Sequence, residues 1–78
     1  IMNDLKLQVK ILMNKVLNVE LNFDELTQSN IPNWDSVNHL NLIIEFENNF
    51  LIDIEPEEIV KMDDFNNIYE ILSKKIKT

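Results

Sequence analysis

The 78-residue chain contains no cysteine. A disulfide framework, a zinc–thiolate centre and a thiol nucleophile are therefore excluded. It also contains no glycine. That rules out a glycine-rich phosphate loop and a dinucleotide fingerprint, and it leaves Asn and Asp to occupy any tight turn that needs positive φ. Basic side chains are scarce, with 7 Lys and Arg against 14 Asp and Glu and a formal net charge of −7. Phosphate contacts need Lys and Arg, so nucleic acid is not expected as a partner. The acidity suits docking onto basic protein surfaces, or solubility alone. Apolar runs are short, as at Leu42-Ile43-Ile44, so no membrane span is expected. No charged stretch followed by a long apolar segment marks a signal peptide. The expectation is a cytoplasmic monomer that does not bind membranes. His39 is the only histidine, without the companions that a metal or catalytic site requires. It is expected to be a surface or half-buried residue.

Hydrophobic residues make up 45% of the chain, ordinary for a globular protein. At this length the expectation is one domain, residues 1–78, stabilised by its apolar core. From Met2 to about Leu17, Leu5, Val9, Leu12, Met13 and Val16 recur at helical spacing, predicting an amphipathic first helix capped by Asn3 or Asp4. From Asn18 to Trp34 the periodicity lapses among loop formers. Leu21, Phe23, Leu26 and Ile31 should pin this long loop to the core, and Asp24-Glu25-Leu26 suits a short helical turn. A second helix is predicted from Ser36 to Phe50. Its polar stripe is Asn38, Asn41, Glu45, Asn48 and Asn49, and its apolar arc is wider than a simple surface helix needs. Pro56, Glu57 and Glu58 suit the start of a short third helix ending near Met62. Asp63 or Asp64 should cap a last helix with Phe65, Ile68, Leu72 and Ile76 on one face, and Lys74, Lys75 and Lys77 at its C-terminal end.

The most informative local feature is Trp34-Asp35-Ser36-Val37 at the junction of loop and second helix. A serine just inside a helix start, preceded by a capping aspartate, is exposed and faces the positive end of the helix dipole. Such a position suits a phosphate ester. Asp-Ser opens many helices, so the stretch that follows, Asn38-His39-Leu40 through Phe50, carries much of the specificity.

Taken together, these features resemble the acyl carrier protein family. The order of elements resembles it along the whole chain, and the specific part runs from Trp34 to Leu72. Asp35-Ser36-Val37 is similar to the family's Asp-Ser-Leu. Glu47, Phe50, Ile52 and Ile54 are similar to the acidic and apolar positions that end its second helix, and Glu57 and Glu58 to the acidic pair opening its third. Trp34-Asp35-Ser36-Val37-Asn38-His39-Leu40 resembles the free-standing carriers of specialised pathways. The resemblance implies an all-α four-helix bundle with a long first loop and a short third helix. It implies a 4′-phosphopantetheine arm, joined from coenzyme A to Ser36 by a phosphopantetheinyl transferase. It also implies acyl cargo held as a thioester, with acyl-activating or acyl-transfer enzymes as partners. The chain would then be a substrate shuttle and not an enzyme. Asp35, Val37, Leu40, Asn41, Ile44, Glu45, Glu47 and Asn48 become the expected partner-recognition residues.

The chain departs from the family in three ways. Asn occupies positions 38, 41, 48 and 49, where a fatty-acid carrier is usually rich in carboxylates. Leu51 replaces a common glycine. Phe46, Ile59 and Ile68 are larger than the Leu or Ala common at positions lining the family's acyl cleft, which Met62 also lines. These differences favour a dedicated pathway and short, polar or aminoacyl cargo held outside the core. An aminoacyl or peptidyl carrier of nonribosomal synthesis or D-alanylation is one alternative, and an unmodified helical protein-interaction module is another.

Overall fold

The computed structural model describes residues 4–76. Among them are four α-helices, α1 (Leu5–Leu17), α2 (Ser36–Phe50), α3 (Pro56–Ile59) and α4 (Phe65–Ile76), and one 3-10 turn, Phe23–Glu25. The fold is all-α; the one isolated bridge joins Thr27 to Asp64. No described helix is long and apolar enough to cross a membrane.

Asp4 caps α1 by accepting from the Leu7 N–H at 3.2 Å. A start at Met2 and a cap at Asn3 lie outside the described residues, as does Lys77. Val9, Met13 and Leu17 form the buried stripe of α1, which packs on α2 and α4. The helix closes at Asn18, in the left-handed region at φ 57° and ψ 48°. Asparagine tolerates that conformation, as expected for a chain without glycine.

The helix end of α2 breaks this rule. It closes on Leu51, also left-handed, at φ 56° and ψ 52°. A β-carbon there crowds the following carbonyl, so positive φ is not confined to Asn and Asp. The Leu51 and Ile52 N–H groups both reach back to Glu47 O. They satisfy a helix-end carbonyl that would otherwise lack a partner.

The loop between α1 and α2 is anchored at several points. Leu26, Ile31 and Trp34 enter the core, while Leu21 is half-buried. Phe23 stays largely exposed and leans on the Phe65 ring, centroids 4.7 Å apart. Backbone bonds tie the loop to the start of α4, from Gln28 N–H to Asp63 O and from Phe65 N–H to Leu26 O, both 2.8 Å. Side-chain amides complete the anchoring. Asn33 donates to Leu17 O at the end of α1, and Gln28 donates to Trp34 O, both at 3.2 Å.

The third helix is shorter than its sequence suggests. It ends at Ile59, not near Met62. Beyond it the backbone tightens to three-residue bonds, Lys61 N–H to Glu58 O and Met62 N–H to Ile59 O. This tighter winding leads Met62 into the core, where it is fully buried. Asp64 then caps α4 by accepting from the Asn67 N–H at 2.8 Å, and Asp63 accepts from the Asn67 side chain at 2.9 Å. Phe65, Ile68 and Leu72 are buried and Tyr69 and Ile76 partly so. The predicted apolar face of α4 is the face that packs.

Candidate functional site

The start of α2 is built from its own sequence. Asp35 is the N-cap, with extended backbone and a side chain accepting from the Asn38 N–H at 2.9 Å. Its carbonyl accepts the first helical bond, from the His39 N–H at 2.8 Å. Ser36 is the first helical residue and is exposed. The N–H groups of Ser36 and Val37 precede the helical ladder and have no carbonyl one turn back. A hydroxyl therefore sits beside two free donors at the positive end of a helix about 22 Å long.

The backbone leading to this point is held from both sides. Trp34 is 3% exposed. Its indole N–H donates to His39 Nδ1 at 2.9 Å, and His39 Nε2 lies 2.7 Å from Ile59 O. Asn38 reaches back across the turn, its side chain donating to Asn33 O at 2.7 Å. His39 is half-buried, as expected; its two partners lie 5 residues back and 20 residues ahead. Sequence reasoning missed the second because no periodic signal links α2 to the end of α3.

The expected partner-recognition residues fall into two groups. Val37, Leu40 and Ile44 are exposed by 66%, 55% and 52%. They are spaced three and four residues apart, so they form one stripe along the helix, with Leu40 one turn beyond Ser36. This is a run of apolar surface left uncovered beside the serine. Asn41 and Asn48 are also exposed, and Asn41 donates to Asn38 Oδ1 at 3.1 Å.

Two of the three carboxylates of that set, Glu45 and Glu47, are engaged with distant or neighbouring groups of the chain, while Asp35 caps α2. Glu47 Oε2 accepts from the Ile54 N–H at 2.9 Å, pinning the α2–α3 connection. Glu45 faces Lys15 of α1 at 3.7 Å and accepts from Asn49. Their first role is thus internal. The remaining surface at this end of α2 is apolar and amide-rich, with Asp35 as its carboxylate.

The positions singled out as a cleft belong to the core. Phe46, Met62 and Ile68 are fully buried in one continuous core, and Ile59 packs against it. Burying a side chain such as Phe46 is worth about 1.5–3 kcal/mol, so vacating this space for a ligand would be costly.

The short α3 is fastened by charge. Glu58 accepts from the Glu55 N–H at 2.8 Å and pairs with Lys75 of α4 at 2.9 Å. The backbone hydrogen bond at Glu55 and then the Lys75 ammonium hold the Glu58 carboxyl below its ordinary value. The hydrogen bond to Glu58 raises Lys75 in turn.

No protein-family model matches the chain, and no curated protein matches it.

Proposed function

We propose that the chain is an acyl carrier protein, bearing a 4′-phosphopantetheine arm on Ser36 and presenting acyl cargo to partner enzymes. The observation that carries this reading is the exposed Ser36 hydroxyl as the first residue of a helix capped by Asp35. The residues present fit the group. Ser36 Oγ has no hydrogen bond among the described residues and projects from an exposed residue. The adjacent N–H groups and the helix dipole favour the negative charge of a phosphodiester. When bound, the arm supplies a terminal thiol that holds an acyl group as a thioester.

The chain's own contribution is placement. In the transfer reaction a new bond forms from Ser36 Oγ to phosphorus, the phosphoanhydride bond of coenzyme A breaks, and adenosine 3′,5′-bisphosphate leaves. The serine proton leaves to a base of the transferase, so none is needed here. Asp35 fixes the helix start, and the buried Trp34 fixes the segment before it. Val37, Leu40 and Ile44 offer exposed apolar contact area around the attachment point. With Glu45 and Glu47 engaged internally, recognition leans on these side chains and on Asp35 more than on a carboxylate field. That supports a dedicated set of partner enzymes.

The burial of Phe46, Met62 and Ile68 in the core supports short, polar or aminoacyl cargo carried outside the bundle. The aminoacyl-carrier alternative draws on the same observation. Incubation with coenzyme A and a broad-specificity phosphopantetheinyl transferase tests the proposal. The chain should gain one arm, and Ser36→Ala should gain none. A wild-type chain that stays unmodified, or a modified Ser36→Ala chain, would refute it.

A further inference from the structure

His39 bonds through both ring nitrogens, and its two partners are of opposite kinds. The Trp34 indole N–H lies 2.9 Å from Nδ1, and the Ile59 carbonyl lies 2.7 Å from Nε2. An indole N–H only donates and a carbonyl only accepts. Nδ1 is therefore bare and Nε2 carries the proton. Two unrelated partners demand the same neutral tautomer. The rings agree with this, their centroids 5.9 Å apart and their planes 29° from parallel. That separation leaves room for the N–H···N bond between the two rings.

We propose that His39 is a proton-operated latch between the Trp34 loop end and α3, and that gaining a proton releases Trp34 while keeping Ile59. A proton on Nδ1 would point at the indole N–H, leaving two donors face to face with no acceptor. Trp34 is almost fully buried, so little water is at hand to replace the lost acceptor. A buried donor left unpaired costs more than the lost bond contributed. The bond from Nε2–H to Ile59 O persists and strengthens, because its donor is now charged. The released segment runs directly into Asp35 and Ser36. The protonation state of one imidazole thereby sets how firmly the start of α2 is presented. The latch does not depend on Ser36 being modified.

The charged groups on the surrounding elements are few. Asp35 lies one turn before His39 on α2. Glu55, Glu57 and Glu58 lie on or beside α3, with Lys61 just after it, and Lys75 of α4 reaches Glu58. The loop from residue 27 to residue 34 carries no charge. Carboxylates and lysines ordinarily keep their charge between about pH 5 and 8, the range in which imidazole ordinarily titrates. The chain has no cysteine and one histidine, so His39→Gln separates the imidazole's response from that of the carboxylates.

The chain has one Trp and one His, so each signal has a single source. Nitrogen-15 spectra of the full chain at about pH 8 should show Nε2 protonated and Nδ1 bare. Acidification to about pH 5 should then shift the Trp34 indole N–H resonance and the Trp34 emission together with the ring nitrogens. In His39→Gln the emission should stay flat over the same range. A proton found on Nδ1 in the neutral form would overturn the proposal. So would ring nitrogens that titrate while both Trp34 signals stay still. If His39→Gln fails to fold, the tautomer and the titration of the unaltered chain decide by themselves.

Discussion

Leu51→Gly should stabilise the protein, although it deletes a large apolar side chain. Leu51 closes α2 at φ 56° and ψ 52°. Holding a non-glycine residue there costs about 1–2 kcal/mol, because the β-carbon crowds the carbonyl oxygen. Glycine avoids that cost, but its greater freedom in the unfolded chain returns about 0.4–1 kcal/mol of it. The Leu51 side chain is 88% exposed, so deleting it forfeits only about 0.3 kcal/mol of burial. The balance is a gain of about 0.5 kcal/mol, or about 2–4 °C in the unfolding midpoint of a domain this small. Leu51→Ala keeps the β-carbon and should show no gain. Asn18→Gly should gain less than Leu51→Gly, because asparagine tolerates the left-handed region. Urea and thermal unfolding followed by circular dichroism would measure all three. The reasoning fails if Leu51→Gly is no more stable than Leu51→Ala, or if glycine gains as much at position 18 as at position 51.

Three further outcomes are expected. Asp35→Ala should lose about 1 kcal/mol of stability by removing the cap on Asn38. Asp35→Asn should keep most of it, since Asn also caps well, so slower arm transfer in Asp35→Asn would isolate recognition of the carboxylate from stability. The Glu58–Lys75 pair should stabilise the fold in a bounded pH window. The Glu58 carboxyl is held below its ordinary value, so its contribution is present above the ordinary carboxylate range and lost as pH falls through the lowered folded value. Lys75 is raised, so its contribution is complete below the ordinary lysine range and lost as pH rises through the raised folded value. Denaturation series across pH should show both edges flattened in Glu58→Gln, and unchanged edges would count against the pairing. Loading with a short and then a long acyl group should leave amide resonances around Phe46 and Ile68 alike, whereas shifts growing with chain length would reveal an open cleft.

Much of this molecule is legible in the sequence where the signal is local. Asp35 before Ser36 marks the start of α2 without any tertiary knowledge, because a cap acts within three residues. The buried face of α4 follows from periodicity alone, and that of α1 does except at Leu17, which is buried although the periodic set Leu5, Val9, Leu12, Met13 and Val16 does not include it. Contacts that cross the chain were not legible. Asn33 reaching Leu17, and His39 reaching Ile59, join residues that share no pattern. Glu47 reads as a surface carboxylate, yet it serves the Ile54 N–H because the turn after α2 folds back over it. Leu51 carries no mark of its left-handed backbone, since leucine elsewhere avoids it. The early end of α3 is invisible for a similar reason, because no local signal in Val60-Lys61-Met62 marks the switch to three-residue bonds that accompanies the burial of Met62.

The most direct measurement is mass spectrometry of the chain purified from the cells that make it, with the modified peptide sequenced. The carrier reading requires a single phosphopantetheine arm on Ser36, some of it bearing a small acyl or aminoacyl group. A chain that is wholly unmodified in those cells, or whose arm maps to any residue other than Ser36, would contradict it.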